Sequence, residues 1–186
     1  MGHVLFPDTT VLVNFAHVNM MGALEAMFAG RAMWGATGAA ECARSAEVEG
    51  LEVLREAIRF LGEPLRPDTV EEHLLVTRLR TQLSGPGDGP RKNLGEAETL
   101  ALIQLRPALR GVFVTDDTGA IRAATAMGMR VYTSADLFAL AAVTQQCTID
   151  EAWNLMMVLR GIPRHLPRCP RHHSDFARRC ARPAVV

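Results

Sequence analysis

Short apolar runs alternate along the chain with longer segments of helical periodicity. The run His3–Phe6 is closed by a proline and an acid, and Gly111–Thr115 is closed by two acids, which predicts a buried β-strand at each. A third short strand is predicted at Arg130–Thr133. Segments with apolar residues at helical spacing separate these strands. Such alternation favours a parallel sheet covered by helices on both faces, so the predicted fold class is α/β with three α/β/α layers.

Helix starts are marked by a repeated capping pattern, in which a Ser, Thr or Asn precedes a Glu by three residues. The pattern occurs at Thr69–Glu72, Asn93–Glu96 and Thr148–Glu151, and predicts helices that begin there. It also gives Glu96 a capping role. A longer helix is predicted over 37–60, with a break around Val48–Gly50. The Gly- and Pro-rich segment 84–90 is predicted to be a flexible loop.

The charged residues are unevenly distributed. Lysine plus arginine and aspartate plus glutamate each number 20, so the formal net charge is zero. From Arg160 to Val186, however, seven arginines stand against one aspartate, a net charge of +6, and the rest of the chain carries −6. An acidic body argues against broad nonspecific nucleic-acid binding by the fold but leaves room for a metal site, whereas a basic ending can bind phosphate or an acidic partner. We therefore divide the chain into a domain over 1–161 and an irregular tail, rich in Pro, Arg and His, over 162–186.

The remaining composition favours an intracellular protein. Hydrophobic residues make up 48% and charged residues 22%, as is usual for soluble globular chains. The four cysteines are scattered without a CxxC pair, which favours a reducing cytoplasm over a disulfide scaffold. We expect no signal peptide, since the start lacks a basic segment followed by a long apolar one. No apolar run reaches the ~18 residues of a membrane span, so no contact with a membrane is expected.

Acidic residues follow two of the predicted strands. Asp8 comes after the first strand, and Asp116 and Asp117 come after Gly111–Thr115. The carboxyl ends of parallel strands lie at one edge of a sheet, where α/β proteins place their functional groups. Each acid alone is also explained as a helix cap. Two further acids are candidates: Glu41 in a run of small residues, and Glu98 beside an apolar helix face, where solvent exposure in a first turn is the alternative.

The order of these motifs resembles that of a known family. PDTTVLVNF, a helical glutamate about thirty residues on, GEAETLALI, FVTDD and AxxMGMRVYTSADLF together resemble the PIN-domain family of metal-dependent ribonucleases, and its VapC-type toxins in particular. The resemblance covers about residues 3–143. It implies a PIN-like domain with Mg²⁺- or Mn²⁺-dependent endoribonuclease activity on RNA. It also implies the toxin of a bacterial toxin–antitoxin pair, with a small antitoxin protein as partner and a homodimeric state.

The resemblance also assigns candidate site residues. The acids that match the family's catalytic positions are Asp8, Glu41, Glu98 and Asp117, with Asp116 as an additional acid beside the last. Of these, Asp8, Glu98, Asp117 and Asp116 are the expected metal ligands, since hard divalent cations prefer carboxylate oxygens. Asn14 and Thr115 match polar positions that line the site. Outside the resemblance, the tail arginines Arg164, Arg168 and Arg171 are candidates for RNA binding.

Two other functions and one other metal site compete with this interpretation. A PIN-shaped module without catalytic activity could bind RNA or protein, although such a module would have no need of mutually repelling acids. A receiver-type phosphoacceptor domain would need a pair of acids after the first strand and a late lysine, and the only lysine is Lys92. The Cys and His residues of the tail could bind zinc, but their spacing matches no zinc module.

Overall fold

The structure, a computed structural model, describes residues 2–162 and 166–181 and is a mixed α/β fold. These residues form three strands, ten α-helices and two short 3₁₀ turns, Glu52–Leu54 and Pro107–Leu109. In chain order the strands and α-helices are β1 Val4–Pro7, α1 Thr9–His17, α2 Met21–Phe28, α3 Ala36–Ser45, α4 Arg55–Leu61, α5 Val70–Leu83, α6 Leu94–Leu105, β2 Gly111–Val114, α7 Thr118–Ala126, β3 Val131–Tyr132, α8 Ser134–Val143, α9 Ile149–Gly161 and α10 His173–Cys180.

The three strands form one parallel sheet in the order β1–β2–β3. Pro7 pairs with Val114, so β1 and β2 end at the same level of the sheet. Two single bridges extend the sheet beyond β1, from Leu5 to Ala32 and from Gly35 to Leu65. The residues that follow β1 and β2 therefore emerge side by side at one edge.

Successive strand residues point to opposite faces of the sheet, and each face has its own core. Leu5 and Val112 belong to the core that includes α1, α2, α8 and α9. Phe6 and Phe113 belong to the core that includes α5, α6 and α7. All four side chains are fully buried. Helices thus cover both faces of a parallel sheet, in agreement with the predicted α/β class and compatible with three α/β/α layers.

The long helix predicted over 37–60 is divided in two. It forms α3 and α4, with a 3₁₀ turn before α4. The break lies where the sequence indicates it, and Gly50 adopts φ +84° there, a left-handed conformation that glycine accepts without steric cost.

The prediction of an irregular tail is wrong for residues 173–180, which form α10. Phe176 and Cys180 lie one turn apart on this otherwise charged helix, and both are buried in the core shared with α8 and α9. Arg179 Nη2 also donates to Asp136 Oδ1 at 2.6 Å, at the start of α8. Over its described residues the basic ending is therefore packed onto the same core as the rest of the chain.

In the described residues, no helix has both the length and the apolar character needed to span a membrane.

Candidate active site at the carboxyl edge of the sheet

Asp8 lies at the carboxyl end of β1 and is held by three donors. Its Oδ1 accepts from the backbone N–H of Thr9 at 2.8 Å, which makes it the N-cap of α1. Its Oδ2 accepts from Thr10 Oγ1 at 2.6 Å and from Thr115 Oγ1 at 3.2 Å. The residue is 8% exposed. Asp8 is therefore a helix cap and also a fixed carboxylate in the wall of a cavity.

That cavity has a volume of about 450 Å³, and three carboxylates from three different elements line it. They are Asp8 after β1, Glu41 on α3 and Glu96 on α6. We call this cavity the acid cavity. The other acids predicted for the site do not line it: Glu98, Asp116 and Asp117.

Glu96 is the functional candidate that the sequence analysis missed, and its predicted capping role is wrong. Asn93 makes no capping hydrogen bond to α6; it adopts φ +59°, and its Nδ2 donates to the carbonyl of Leu83 at 3.0 Å. Glu96 instead lines the acid cavity. The sequence signal for this position is the preceding Gly95: a Cβ there would lie 3.2 Å from Glu41 Oε2, so the glycine lets α6 approach Glu41 closely.

Glu98 lies on a different side of α6 from Glu96, because residues two apart on an α-helix are separated by roughly 200°. Its carboxylate accepts from the N–H of Thr37 at 3.2 Å and from Thr37 Oγ1. A Cβ on Gly35 would lie 2.5 Å from Glu98 Oε1. Glu98 therefore joins α6 to the first turn of α3, the helix that carries Glu41.

Asp116 and Asp117 are consecutive in the chain but have separate surroundings. Asp117 is the N-cap of α7, where its Oδ1 accepts from the N–H of Ala120 at 2.7 Å. Its own N–H donates to Thr115 Oγ1 at 3.1 Å. Since Thr115 also donates to Asp8, this threonine connects the two strand-end acids.

Asp116 is enclosed by donors. Its Oδ1 accepts from the N–H of Ser134 at 2.9 Å, and its Oδ2 accepts from Asn14 Nδ2 at 2.7 Å and from the Ser134 hydroxyl. The residue is 3% exposed. The predicted site residue Asn14 therefore contacts Asp116, and its own Oδ1 has no hydrogen-bond partner in the described residues. These three residues, which we call the Asp116 network, connect β2, α1 and α8.

Burial and repulsion between neighbouring carboxylates both raise the pKa values of the three acids in the acid cavity. Burial raises the pKa of Asp8 despite its three hydrogen bonds, and the charge of Asp117 adds to the increase. Burial also raises the pKa of Glu41, and the charges of Asp8 and Glu98 act in the same direction. The pKa of Glu96 is raised to about 7, chiefly by burial and then by the charges of Asp8, Glu41 and Asp117. Such a set favours a state with fewer negative charges or with a bound cation.

The carboxylates of the acid cavity are the ligand type that a hard divalent cation prefers, but the three are not arranged to coordinate it by themselves. In residues 2–162 and 166–181, no group of three or more His, Cys, Asp or Glu side chains is arranged to hold a metal ion. Mg²⁺ usually takes one or two carboxylates and completes its shell with water and substrate phosphate. The carboxylate oxygens, and the repulsion among the acids that a cation would relieve, therefore fit Mg²⁺ or Mn²⁺ with water completing the coordination shell.

The predicted RNA-binding arginines of the tail lie in three situations. Arg168 Nη1 donates to the carbonyl of Val131, 3.4 Å away, and Arg171 is exposed. Arg164 lies outside the described residues. Neither Arg168 nor Arg171 lines the acid cavity.

Comparisons of the chain with protein-family models, with curated proteins and with solved structures gave no match.

Proposed function

We propose that this chain is an Mg²⁺- or Mn²⁺-dependent endoribonuclease with a PIN-like domain. The observation that carries the proposal is the acid cavity itself, in which Asp8, Glu41 and Glu96 meet at the carboxyl edge of a parallel sheet. The raised pKa values of these groups support it, because the threonine donors at Asp8 and the charge of Arg44 at Glu41 offset only part of the effect of burial and repulsion. A catalytically inactive binding module would have no use for such an arrangement, which opposes folding at neutral pH.

Each acid has a distinct part in the proposed mechanism. Asp8 is fixed by Thr9, Thr10 and Thr115 and would present an immobile oxygen to the cation. Glu41 and Glu96 would close on the cation from α3 and α6. When bound, the cation would lower the pKa of a water molecule and stabilise charge on the phosphodiester under attack.

Asp117, Glu98 and Asp116 take supporting parts in the same proposal. The charge of Asp117 acts on both Asp8 and Glu96, and Asp117 shares Thr115 with Asp8, so we assign it to a water of the metal shell. Glu98 holds α3 through Thr37, and Asp116 holds α1 and α8 through Asn14 and Ser134. We therefore assign Glu98 and Asp116 to positioning.

The proposal includes the biological setting that the resemblance implies. It is a cytoplasmic toxin with a small antitoxin partner that covers the acid cavity, and a homodimer. All four cysteines are free thiols, which supports a reducing compartment. Val70 and Leu74 are 76% and 63% exposed one turn apart on α5, which supports a contact with another chain. Size-exclusion chromatography with light scattering tests the dimer; a monomer at all concentrations would contradict it.

Metal-dependent cleavage of a single-stranded RNA tests the central proposal. We expect cleavage with Mg²⁺ or Mn²⁺, none with EDTA, and recovery when the cation is added back. Glu96→Gln should abolish cleavage, whereas Glu63→Gln, an exposed acid outside the acid cavity, should not. Cleavage that survives EDTA, or equal activity of the two variants, would contradict the proposal.

A further inference from the structure

A second cavity, of about 480 Å³, lies beside the acid cavity, and its lining contains three arginines and a histidine together with two acids, Glu41 and Glu98. Arg44 comes from α3, Arg66 from the segment before α5, and Arg91 from the segment before α6. His73 on α5 also lines it. We call this cavity the basic groove. The three arginines are far apart in the sequence, and only the fold brings them together.

The basic groove and the acid cavity are continuous along α3. Glu41 and Arg44 line both cavities, and they lie three residues apart on one face of that helix. A chain that passes from one cavity to the other would therefore meet carboxylates first and guanidinium groups immediately afterwards.

The arginines of the basic groove are available to a ligand. In the described part of the chain, five other arginines form ion pairs: Arg55, Arg59, Arg106, Arg178 and Arg179. The same residues give no ion pair to Arg44, Arg66 or Arg91, and all three are exposed. Exposed cations that converge on a concave surface attract anions, and guanidinium groups match phosphate geometry.

The backbone that carries Arg66 and Arg91 is anchored. Arg106 Nη2 donates to the carbonyl of Arg66 at 2.8 Å, and Arg106 itself is paired with the buried Glu72, Nε to Oε1 at 2.7 Å. The segment of Arg91 is tied to the end of α5 by Asn93, whose Nδ2 donates to Leu83. Hydrogen bonds thus tie the backbone of Arg66 to the end of α6, and Asn93, two residues after Arg91, to the end of α5.

We propose that the basic groove binds the phosphate backbone of the RNA strand next to the bond that is cleaved. This inference rests on the proposed function, since it names the substrate contacts of that same site. Arg66 and Arg91 would neutralise consecutive phosphates, while Arg44 would bridge the basic groove and the acid cavity. The cavity volume lies within the roughly 300–1,000 Å³ range of small-ligand sites, which accommodates nucleotide-sized groups. In this proposal the main RNA contact is the groove and not the tail.

The test is RNA binding by the double variant Arg66→Gln/Arg91→Gln, with Arg78→Gln/Arg122→Gln as a matched control. The control also removes two exposed positive charges, but outside the basic groove. Binding of a short single-stranded RNA is measured in an Asp8→Asn background, so that the probe stays intact, over a range of salt concentrations. We expect the groove variant to bind about tenfold more weakly. Its log–log salt dependence should be less steep by roughly 1.4, since each lost single-strand contact contributes about 0.7. The control should behave like its parent.

The outcomes separate this inference from the proposed function. An equal effect of both double variants, an unchanged salt slope in the groove variant, or no RNA binding by the parent would overturn the groove. If RNA binding depends on the basic groove but the wild-type chain cleaves no RNA, the proposed RNA-binding groove is supported and the proposed nuclease activity is contradicted. Circular dichroism of each variant checks the fold, which should be unaffected because the replaced side chains are exposed.

Discussion

The acid cavity and the Asp116 network both contain buried carboxylates, yet they are built in opposite ways. Asp116 receives three hydrogen bonds from Ser134 and Asn14, so both of its oxygens have donors. Glu96 lies in a cavity with other acids, and its pKa is about 7. Burial raises the pKa in both places. The difference is that hydrogen-bond donors serve both oxygens of Asp116, whereas Glu96 faces the charges of Asp8 and Glu41. Arg44 also lines the acid cavity, but its charge offsets only part of the rise in the pKa of Glu41.

The largest expected effect is on catalysis by Asp8→Asn. Loss of one carboxylate from the acid cavity should lower RNA cleavage by a hundredfold or more, since even residues that only support metal ligands contribute roughly 10–100-fold. Gel-based cleavage in Mg²⁺ measures it. The fold should be retained, because loss of a repelling charge offsets part of the lost hydrogen bonding. Wild-type cleavage by the Asn variant would show that the acid cavity is not a catalytic site.

Asp116→Ala should have its main effect on stability. The variant leaves the Ser134 N–H and the Asn14 amide buried without an acceptor, which costs about 2–3 kcal/mol of the free energy of unfolding. Urea denaturation measures the loss. Asp116→Asn is the matched control and should lose less, because an amide oxygen can still accept from Ser134. If Asp116→Ala were as stable as wild type but bound no Mg²⁺, the Asp116 network would be part of the metal site.

The raised pKa of Glu96 predicts a stability that depends on pH. Between its ordinary value of 4.5 and about 7, the folded state retains a proton that the unfolded state has lost. The free energy of unfolding should therefore fall as pH rises through this window and stay low above it. Glu96→Gln should remove this contribution, and the variant should be about 1–3 kcal/mol more stable than wild type at pH 8, with little difference at pH 4.

Thermal unfolding at several pH values, with Glu63→Gln as the exposed control, measures that contribution. Mg²⁺ should stabilise the wild-type chain more at pH 8 than at pH 5, since a protonated carboxyl group is a poor ligand. Each kcal/mol should correspond to about 2–4 °C in Tm for a chain of this size. If the stability of Glu96→Gln depended on pH as that of wild type does, Glu96 would not be the buried acid that is repelled by Asp8 and Glu41.

The smallest effect is expected for Glu98→Gln. The amide oxygen can still accept from Thr37, so the loss of stability should be about 1 kcal/mol or less. Because Glu98 lies outside the acid cavity, Mg²⁺ affinity measured by calorimetry should change far less than in Glu96→Gln. A larger loss of affinity in Glu98→Gln than in Glu96→Gln would return Glu98 to the metal site and displace Glu96.

Local patterns in the sequence were sufficient for the strand-end acids. Alternating apolar runs identified β1 and β2, and the next polar residues were Asp8 and the pair Asp116–Asp117. A residue that follows a buried strand must emerge at the edge of the sheet, whatever the rest of the fold does. The same logic made each acid a helix cap, and Asp8 and Asp117 have this role as well.

Choices between neighbouring residues were decided only by the tertiary structure. Glu96 and Glu98 are both glutamates and both lie early in α6, so the helical pattern alone does not say which one meets Asp8. The answer depends on the rotation of α6 against α3, which is set where Gly95 admits Glu41 and where Glu98 meets Thr37.

The end of the chain and the basic groove illustrate the same limit. The sequence places positive charge beyond Arg160, but it does not show that two buried side chains, Phe176 and Cys180, pack part of that segment onto the core. No sequence motif indicates the basic groove, because its arginines are separated by tens of residues: Arg44, Arg66 and Arg91. Sequence patterns determine which residues share a face of one element, because helix and strand periods are local properties of the backbone. Which faces meet is decided by packing between elements distant in the chain, and in this protein that packing made both the acid cavity and the basic groove.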